Sequence, residues 1–234
     1  MPMKTINVNQ DVLADRRAAA ELQRREWTEQ GILVINLVSS PGAGKTSLLQ
    51  SMARYWSGRV RMGVLVGDLA TDRDAERLRP LVPVEQLTTG GACHLELSLV
   101  QHGLRKLPSQ PFEVLVIENV GNLVCPASHD LGEHLRVVAL SSTEGDDKPG
   151  KYPKMFRTSQ IMVITKSDLL PYVPFRVEAA IEDAQRIQPT LSSFVTCAIS
   201  GNGVEQLCDY LEHYRMQHLN PERRRGEVVD GRVS

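Results

Sequence analysis

The chain has 234 residues, of which 41% are hydrophobic and 24% charged, and its formal net charge is −1. The balanced charge and the 5% aromatic content argue against a surface that binds nucleic acid by charge or by base stacking. The apolar runs are too short to cross a bilayer and no apolar signal core follows Met1, so a cytoplasmic protein without membrane contact is expected.

Composition divides the chain into three segments. Residues 1–30 are predicted to form an N-terminal helical arm, because an Ala- and Arg-rich stretch with a thin apolar side follows possible caps at Asn9 and Asp11. This arm is expected to lie on the surface or to bind a partner. Residues 31–219 form the main domain, and residues 220–234 are a charged tail that is predicted to be disordered.

The main domain alternates strands with helices. Such a pattern is typical of βαβ units and predicts an α/β fold with a mostly parallel sheet flanked by helices. The segment 143–154 is polar and contains glycine and two prolines, so it is predicted to be a loop. The predicted strands are 32–38, 62–66, 84–87, 114–117, 135–140, 161–165 and 194–197, and the predicted helices are 47–56, 74–79, 95–107, 176–188 and 203–218.

A phosphate-binding loop of the P-loop NTPase type is predicted directly after the first strand, in the sequence SSPGAGKTS. The Gly-Lys-Thr end fits the general pattern, while Ser39 occupies the leading position that is usually glycine. Glycines let the backbone turn its amides toward phosphate oxygens, a lysine reaches the β- and γ-phosphates, and a threonine hydroxyl suits Mg²⁺. The predicted nucleotide-binding residues are Gly42, Ala43, Gly44, Lys45, Thr46 and Ser47, with Lys45 also catalytic.

Acidic residues at the ends of two predicted strands are the expected Mg²⁺ ligands and catalytic carboxylates. Asp68 ends the second strand, and Glu118 follows the strand 114–117. Glu118 and Gly121 resemble the Asp-x-x-Gly motif of GTPases, in which the glycine amide senses the γ-phosphate. Asp72 and Asp74 follow Asp68 closely and could form a nucleotide-sensitive catalytic switch, although Asp74 would equally suit a helix N-cap.

A base-recognition segment is predicted at the end of the strand 161–165. Its sequence TKSD resembles the Asn-Lys-x-Asp motif of guanine-specific GTPases, with Thr165 in place of asparagine. Asp168 would accept hydrogen bonds from guanine N1–H and N2–H₂, which adenine does not offer, and the Lys166 stem would stack along the base. GTP is therefore favoured over ATP. The segment 197–203 weakly resembles a loop that closes over the base, with Ile199 where lysine is usual.

Two cysteines and a histidine suggest a transition-metal site. Cys93 and His94 are adjacent, and Cys125 lies four residues after Gly121. Thiolates and imidazole suit Ni²⁺ or Zn²⁺, and three ligands would leave a position open for transfer. Their spacing in the sequence is not compact, so buried structural cysteines remain an alternative.

In order along the chain, SSPGAGKTS, GDLATDRDAERL, TGGACHLE, ENVGNLVCP, TEGDDKP and TKSDLLPYV resemble the hydrogenase nickel-incorporation GTPases, the HypB family, over residues 31–215. The resemblance implies GTP/GDP and Mg²⁺ as ligands, and Ni²⁺ or Zn²⁺ held by Cys93, His94 and Cys125 across a GTP-dependent homodimer. It also implies a HypA-type nickel-binding accessory partner and the large subunit of nickel–iron hydrogenase as client. Urease accessory GTPases carry a Cys-Pro-His motif instead, whereas Ala127 follows Cys125 and Pro126 here.

Four functions stay open on the sequence: a hydrogenase nickel-delivery GTPase, a urease-type accessory GTPase, a P-loop small-molecule kinase, and a non-catalytic metal store or scaffold. Asp168 argues against the kinase. The combination of Lys45, Thr46 and both strand-end acids argues against the non-catalytic protein. No arginine finger is evident, so slow hydrolysis is expected. Lys148 or Lys151 is a hypothetical phosphate contact from a partner subunit.

Overall fold

The computed structural model of the chain describes residues 8–68, 72–108 and 111–219, with side chains from residue 14 onward, so the predicted tail lies outside the described residues. Seven parallel strands form one sheet in the order β3-β2-β4-β1-β5-β6-β7, which confirms the predicted α/β fold. Within the described ranges, no helix has the length and apolar character needed to span a membrane. The strands are β1 (Leu33–Ser39), β2 (Met62–Asp68), β3 (Val84–Thr88), β4 (Val114–Gly121), β5 (Leu135–Ser141), β6 (Ile161–Thr165) and β7 (Ser192–Val195).

Helices supply the crossovers that parallel strands require. Two short 3₁₀ helices, Cys125–Ser128 and Ser167–Tyr172, follow β4 and β6. The α-helices are α1 (Val8–Glu29), α2 (Lys45–Tyr55), α3 (Arg73–Leu78), α4 (Leu97–Leu104), α5 (Lys148–Lys151), α6 (Pro153–Arg157), α7 (Val177–Ile187) and α8 (Val204–His218).

The central strand β1 is buried along its whole length because helices cover both faces of the sheet. Leu33, Ile35 and Leu37 pack into the layer that contains α2, α3 and α8. Val34 and Val38 point to the opposite face, where α1, α4, α6 and α7 pack. The phosphate loop therefore leaves a rigid strand in the middle of the sheet, with β4 on one side and β5 on the other.

The predicted N-terminal helix is present as α1, and it packs against the main domain. Ala20, Gln23 and Trp27 are buried, while Leu22 on the other side is 61% exposed. Gly132 approaches this helix so closely that a Cβ there would lie 3.0 Å from the Ala20 carbonyl oxygen. One face of the arm is thus fastened to the loop that precedes β5.

The prediction that residues 143–154 form a loop is wrong in its second half, where α5 and α6 lie. Pro149 and Pro153 lie in the first turns of these helices. Amides in a first turn have no hydrogen-bond acceptor within the helix, so proline's lack of an N–H breaks no helical hydrogen bond there. Met155 and Phe156 are fully buried and anchor α6. The prolines therefore begin helices here instead of interrupting them.

The strand β4 runs further than the predicted segment 114–117 and ends at Gly121. Its register against β1 shifts between Leu37 and Ser39, so that Ser39 pairs with Gly121. As a result Glu118 lies inside the sheet and not beyond it, and the end of β4 runs beside the start of the phosphate loop.

Candidate nucleotide and metal site

The loop between β1 and α2 has the backbone shape of a phosphate-binding loop. Gly42 and Gly44 take positive φ angles of 73° and 90°, which residues with side chains rarely adopt. The loop runs directly into α2 at Lys45, so the unpaired amides and partial positive charge of a helix N-terminus adjoin it. A Cβ on Gly121 would lie 2.8 Å from the Pro41 Cα, so the end of β4 touches this loop.

Lys45 is the electrostatic centre of the predicted nucleotide site. Its side chain is buried, and Nζ donates a hydrogen bond to Ser39 Oγ at 3.1 Å. Burial lowers the pKa of Lys45, and attraction by Glu118, Asp74 and Asp68 opposes that shift. The three acids selected from the sequence therefore surround one ammonium, and a polyphosphate would add further negative charge that favours its protonated form.

The side chains of Glu118 and Thr46 lie side by side and offer oxygen atoms that could bind a cation. Thr46 Oγ1 donates to Glu118 Oε1 at 2.9 Å, while Glu118 Oε2 is buried and has no hydrogen-bond partner among the described residues. Burial raises the pKa of Glu118 to about 7, against the opposing effects of Lys45 and the Thr46 hydrogen bond. An orphaned carboxylate oxygen beside a threonine hydroxyl fits a hard cation such as Mg²⁺. Asp68, at the end of the neighbouring strand β2, lies on the same edge of the sheet.

Asp74 lies inside the first turn of α3, which begins after Asp72, so Asp74 is not the N-cap residue. It forms an ion pair with Arg77 at 3.5 Å. Arg77 Nη2 also donates to Ser47 Oγ at 3.1 Å and to Gln50 Oε1 at 2.9 Å. Arg77 therefore fastens the segment after β2 to the first turns of α2; the i,i+3 spacing indicates its pair with Asp74 but not these contacts with α2.

The base-recognition segment contacts the phosphate loop directly. Thr165 Oγ1 donates to the Ala43 carbonyl at 2.6 Å, and Lys166 Nζ donates to the Gly42 carbonyl at 2.9 Å. Lys166 has a positive φ of 58°, an uncommon conformation for a residue with a side chain. A threonine in place of the usual asparagine thus still ties this segment to the loop.

Asp168 contacts the segment 197–203, which the sequence weakly predicted to close over the base. The buried Cys197 donates its S–H to Asp168 Oδ1 at 3.2 Å. Ile199, two residues further along, is 90% exposed. The segment after β7 therefore reaches Asp168 through Cys197, and Ile199 points into solvent.

Lys148 and Lys151 have different surroundings. Lys148 Nζ donates to Ser40 Oγ at 3.2 Å and lies 3.0 Å from Glu144 Oε2. Lys151 forms an exposed ion pair with Asp147 at 2.6 Å. Lys148 is thus beside the phosphate loop of its own chain, and a reach to phosphate in a partner subunit stays a prediction.

The three predicted transition-metal ligands are neighbours. Cys93 Sγ lies 3.7 Å from His94 Nδ1, and Asn122 Nδ2 donates to the Cys93 carbonyl at 3.2 Å, which holds the two loops together. A hydrogen bond with the Cys125 thiol, and then desolvation, raises the pKa of Cys93. Yet no three His, Cys, Asp or Glu side chains in residues 8–68, 72–108 and 111–219 converge closely enough to hold an ion. Metal binding at this cluster therefore stays a prediction.

His129, which was not among the predicted ligands, joins this cluster. Its ring stacks on the His94 ring with centroids 3.6 Å apart and an interplanar angle of 22°. Burial, and then the neighbouring His129, lowers the pKa of His94. The spacing of four residues from Cys125 was the signal that could have revealed it.

A chain of buried hydrogen bonds joins the end of β4 to the loop that carries His129. Asn119 Nδ2 donates to Asn36 Oδ1 at 3.2 Å, and Asn36 Nδ2 donates to Glu133 Oε1 at 3.0 Å. Arg136 Nη2 donates both to Glu133 Oε1 at 2.6 Å and to the His129 carbonyl at 2.7 Å. Buried hydrogen bonds therefore connect the end of β4, through Asn36 and Glu133, to the backbone of His129.

Comparisons of the sequence with a protein-family model and with known proteins point to the same family. The protein-family model described as "CobW/HypB/UreG, nucleotide-binding domain" matches residues 33–195. The hydrogenase maturation factor HypB of Rhizobium leguminosarum bv. viciae is 43% identical over 210 residues, which are 89% of this chain and 70% of that protein. The protein of the same name from Escherichia coli (strain K12) is 43% identical over 213 residues, covering 91% of this chain and 73% of its own length.

Similar solved structures point to the same family. A crystal structure of HypB from Helicobacter pylori in complex with nickel has a TM-score of 0.83 and 36% identity, covering 88% of this chain and 98% of that one. HypB from Archaeoglobus fulgidus has a TM-score of 0.79 and 35% identity, covering 86% of this chain and 99% of that one. The chain with this phosphate loop and thiol–imidazole cluster therefore belongs to the HypB family of nucleotide-binding proteins.

Proposed function

We propose that this chain is a GTP-hydrolysing metallochaperone that delivers nickel during the maturation of nickel–iron hydrogenase. The observation that carries the proposal is the course of β4. This strand brings Glu118 against Thr46, ends with Gly121 against the phosphate loop, and leads within four residues to Cys125 beside Cys93. The names of the relatives and the nickel complex of HypB from Helicobacter pylori support nickel as the cargo.

For hydrolysis, the chain's own residues bind and orient the triphosphate. The loop amides and the Lys45 ammonium would neutralise the β- and γ-phosphates, and Asp74 belongs to the segment that responds to the γ-phosphate. Thr46, Glu118 and Asp68 would hold Mg²⁺, which would supply positive charge to the triphosphate. Glu118 would take this role in its ionised form, because only the carboxylate is a ligand for a cation.

Base selection is assigned to Asp168 and Lys166. The Asp168 carboxylate would accept the two N–H groups of guanine, while Cys197 holds one of its oxygens in place. Adenine would leave that carboxylate without these donors, which a site built on hydrogen bonds penalises strongly. The Lys166 stem, which already spans the phosphate loop, would lie along the base.

The proposed switch links nucleotide state to the metal ligands. A γ-phosphate held by the Gly121 amide would fix the end of β4 against the loop, and hydrolysis would release it. Cys125 would then move relative to Cys93 and His94 and alter the affinity for Ni²⁺ or Zn²⁺. We further propose that the chain works as a homodimer, receives metal from a HypA-type accessory protein and passes it to the hydrogenase large subunit.

The direct test of this proposal is hydrolysis of GTP and ATP by the purified chain. Released inorganic phosphate, in the absence of an acceptor, distinguishes hydrolysis from kinase chemistry. We expect turnover of GTP but not ATP, a loss of at least ~100-fold in Lys45→Ala, and normal turnover in Lys106→Ala, whose ion pair with Glu85 lies elsewhere. Equal rates with both nucleotides, or an active Lys45→Ala variant, would refute the assignment.

Maturation of urease is a second candidate role for the same chemistry. A relative from Helicobacter hepaticus, 39% identical over 220 residues, is named hydrogenase/urease maturation factor HypB. The two roles differ in the client and share the nickel-loading site. Activation of apo-urease and of immature hydrogenase by the nickel-loaded chain, assayed side by side, would separate them.

A further inference from the structure

We propose that His129 is a fourth ligand of the metal site formed by Cys93, His94 and Cys125; this inference rests on the metal role proposed above and deepens it. His129 directly follows the 3₁₀ helix that begins with Cys125, so both residues belong to the same tight turn. Its ring lies against the His94 ring at a centroid distance of 3.6 Å. Two thiols and two imidazoles are therefore neighbours, although their donor atoms do not yet converge on one point.

The orientation of His129 is that of a metal-ligating histidine. Its Nδ1 lies 2.9 Å from the Cys125 carbonyl oxygen, which accepts only if Nδ1 carries the proton. Nε2 then keeps its lone pair for an ion. Histidine ligands of metals typically donate their second ring N–H to a backbone carbonyl or a carboxylate in this way.

His94 has the complementary arrangement. Its Nδ1 faces Cys93 Sγ at 3.7 Å, and its Nε2 lies 3.9 Å from Glu96 Oε1. A metal bound through Nδ1 would leave Nε2–H on the side of the Glu96 carboxylate, which at 3.9 Å is too distant for a hydrogen bond but close enough to become the outer partner after a small movement. The hydrogen bond to an outer partner is thus already formed at His129 and is only near at His94.

The backbone beneath His129 is rigid. Its carbonyl accepts a hydrogen bond from the buried Arg136 at 2.7 Å, and Arg136 forms an ion pair with the equally buried Glu133 at 2.6 Å. Cys93, in contrast, is exposed. The donor atoms of the described side chains do not converge on one point. Ion binding therefore requires the stacked rings of His94 and His129 to turn so that their nitrogens face the ion. Cys93 and His94 are expected to make this movement, because the backbone of His129 is held in place.

With His129, each subunit offers two thiolates and two imidazoles to the site. Such a set is closed, because four protein ligands satisfy the tetrahedral preference of Zn²⁺ or a four-coordinate Ni²⁺. Loss of one imidazole would open the site for transfer. His129 would therefore decide whether the ion is held or is released to a partner.

X-ray absorption spectroscopy on the full chain loaded with one equivalent of Zn²⁺ or Ni²⁺ counts the imidazoles directly. We expect two imidazoles per ion in the unchanged chain and one in His129→Phe, which keeps an aromatic ring against His94 and removes the nitrogens. Metal affinity, measured by competition with a chelating dye, should fall ~10–100-fold in this variant. His102→Gln, an exposed histidine on α4, is the matched control and should change neither value.

The same measurement gives three ways to overturn the inference. One imidazole in the unchanged chain rejects His129 as a ligand and leaves the proposed three-ligand site standing. A weaker affinity in His129→Phe with an unchanged count means that His129 only positions His94, which also rejects the ligand role. Absence of any bound metal in the unchanged chain rejects the proposed metal site itself. His129→Gln and a circular dichroism melt of each variant exclude loss of fold as the cause.

Discussion

Glu118 shows how one buried carboxylate connects stability to the chemistry of the site. Burial raises its pKa from 4.5 to about 7 in the folded chain. Between these values the folded state keeps a proton that the unfolded state has lost, so stability falls as pH rises through the window. The loss reaches roughly 3 kcal/mol once the pH exceeds the folded pKa.

We therefore predict that Glu118→Gln, without nucleotide or Mg²⁺, is more stable than the unchanged chain at pH 8 by up to ~3 kcal/mol. The two should converge at about pH 4 and below, where Glu118 is mostly neutral in both the folded and the unfolded chain. Urea denaturation at both pH values measures the difference, and Glu182→Gln, an exposed carboxylate on α7, is the control. Identical pH profiles for the variant and the unchanged chain would contradict the buried, proton-holding Glu118.

Glycine is required at position 121 because the phosphate loop lies against it, and not because of its backbone φ angle. A Cβ would lie 2.8 Å from the Pro41 Cα, and the backbone of the phosphate loop cannot move aside as a flexible side chain can. We predict that Gly121→Ala weakens GTP binding by at least ~10-fold, a cost of ~1.4 kcal/mol, as measured by calorimetry. In Gly150→Ala the new Cβ meets the end of the Asp183 side chain, so binding should be unchanged. Equal affinities in both variants would show that β4 and the loop are independent.

At the scale of elements, the strands and most helices were predictable because each is a local pattern. β-branched apolar runs marked β1, β4 and β6, and the glycine–lysine–threonine turn fixed the start of α2. The short helices α5 and α6 were missed because proline was taken as a breaker, whereas its effect depends on its place in the turn.

Contacts between distant segments could not be predicted from local patterns. Asn36 lies 97 residues from Glu133 and 83 residues from Asn119, yet all three share one buried network. Cys197, which follows β7, reaches Asp168, which follows β6. The residues predicted to bind phosphate were identifiable because they occupy one loop, whereas those that position the loops become visible only through strand order.

The buried ion pair between Arg136 and Glu133 anchors the loop that carries His129. Removal of one partner leaves an uncompensated buried charge, which typically costs about 3–5 kcal/mol. We predict that Arg136→Met loses stability of this size in urea denaturation and loses amide-exchange protection in residues 125–134. Arg157→Met, an exposed arginine on α6, should have little effect. Unaltered exchange in residues 125–134 would show that the pair does not hold this loop.

At the scale of the whole molecule, the parallel sheet brings the predicted nucleotide-binding residues and the predicted metal ligands to one edge. The ends of β1, β2 and β4 contribute the phosphate loop, Asp68 and Gly121, and the loops that follow β3 and β4 contribute Cys93 and Cys125. A binding event at one site therefore has a short physical route to the other. If nucleotide state changes metal affinity, as proposed, linkage requires bound metal to change nucleotide affinity by the same factor.

The most direct measurement is the Ni²⁺ dissociation constant of the chain saturated first with GDP and then with a non-hydrolysable GTP analogue, both with Mg²⁺. We predict constants that differ by at least ~5-fold, the lower end of typical coupling between sites, and a matching ratio of the two nucleotide affinities with and without Ni²⁺. Gly121→Ala should abolish the difference. Equal Ni²⁺ constants in the two nucleotide states, with both nucleotides demonstrably bound, would contradict a nickel carrier switched by GTP.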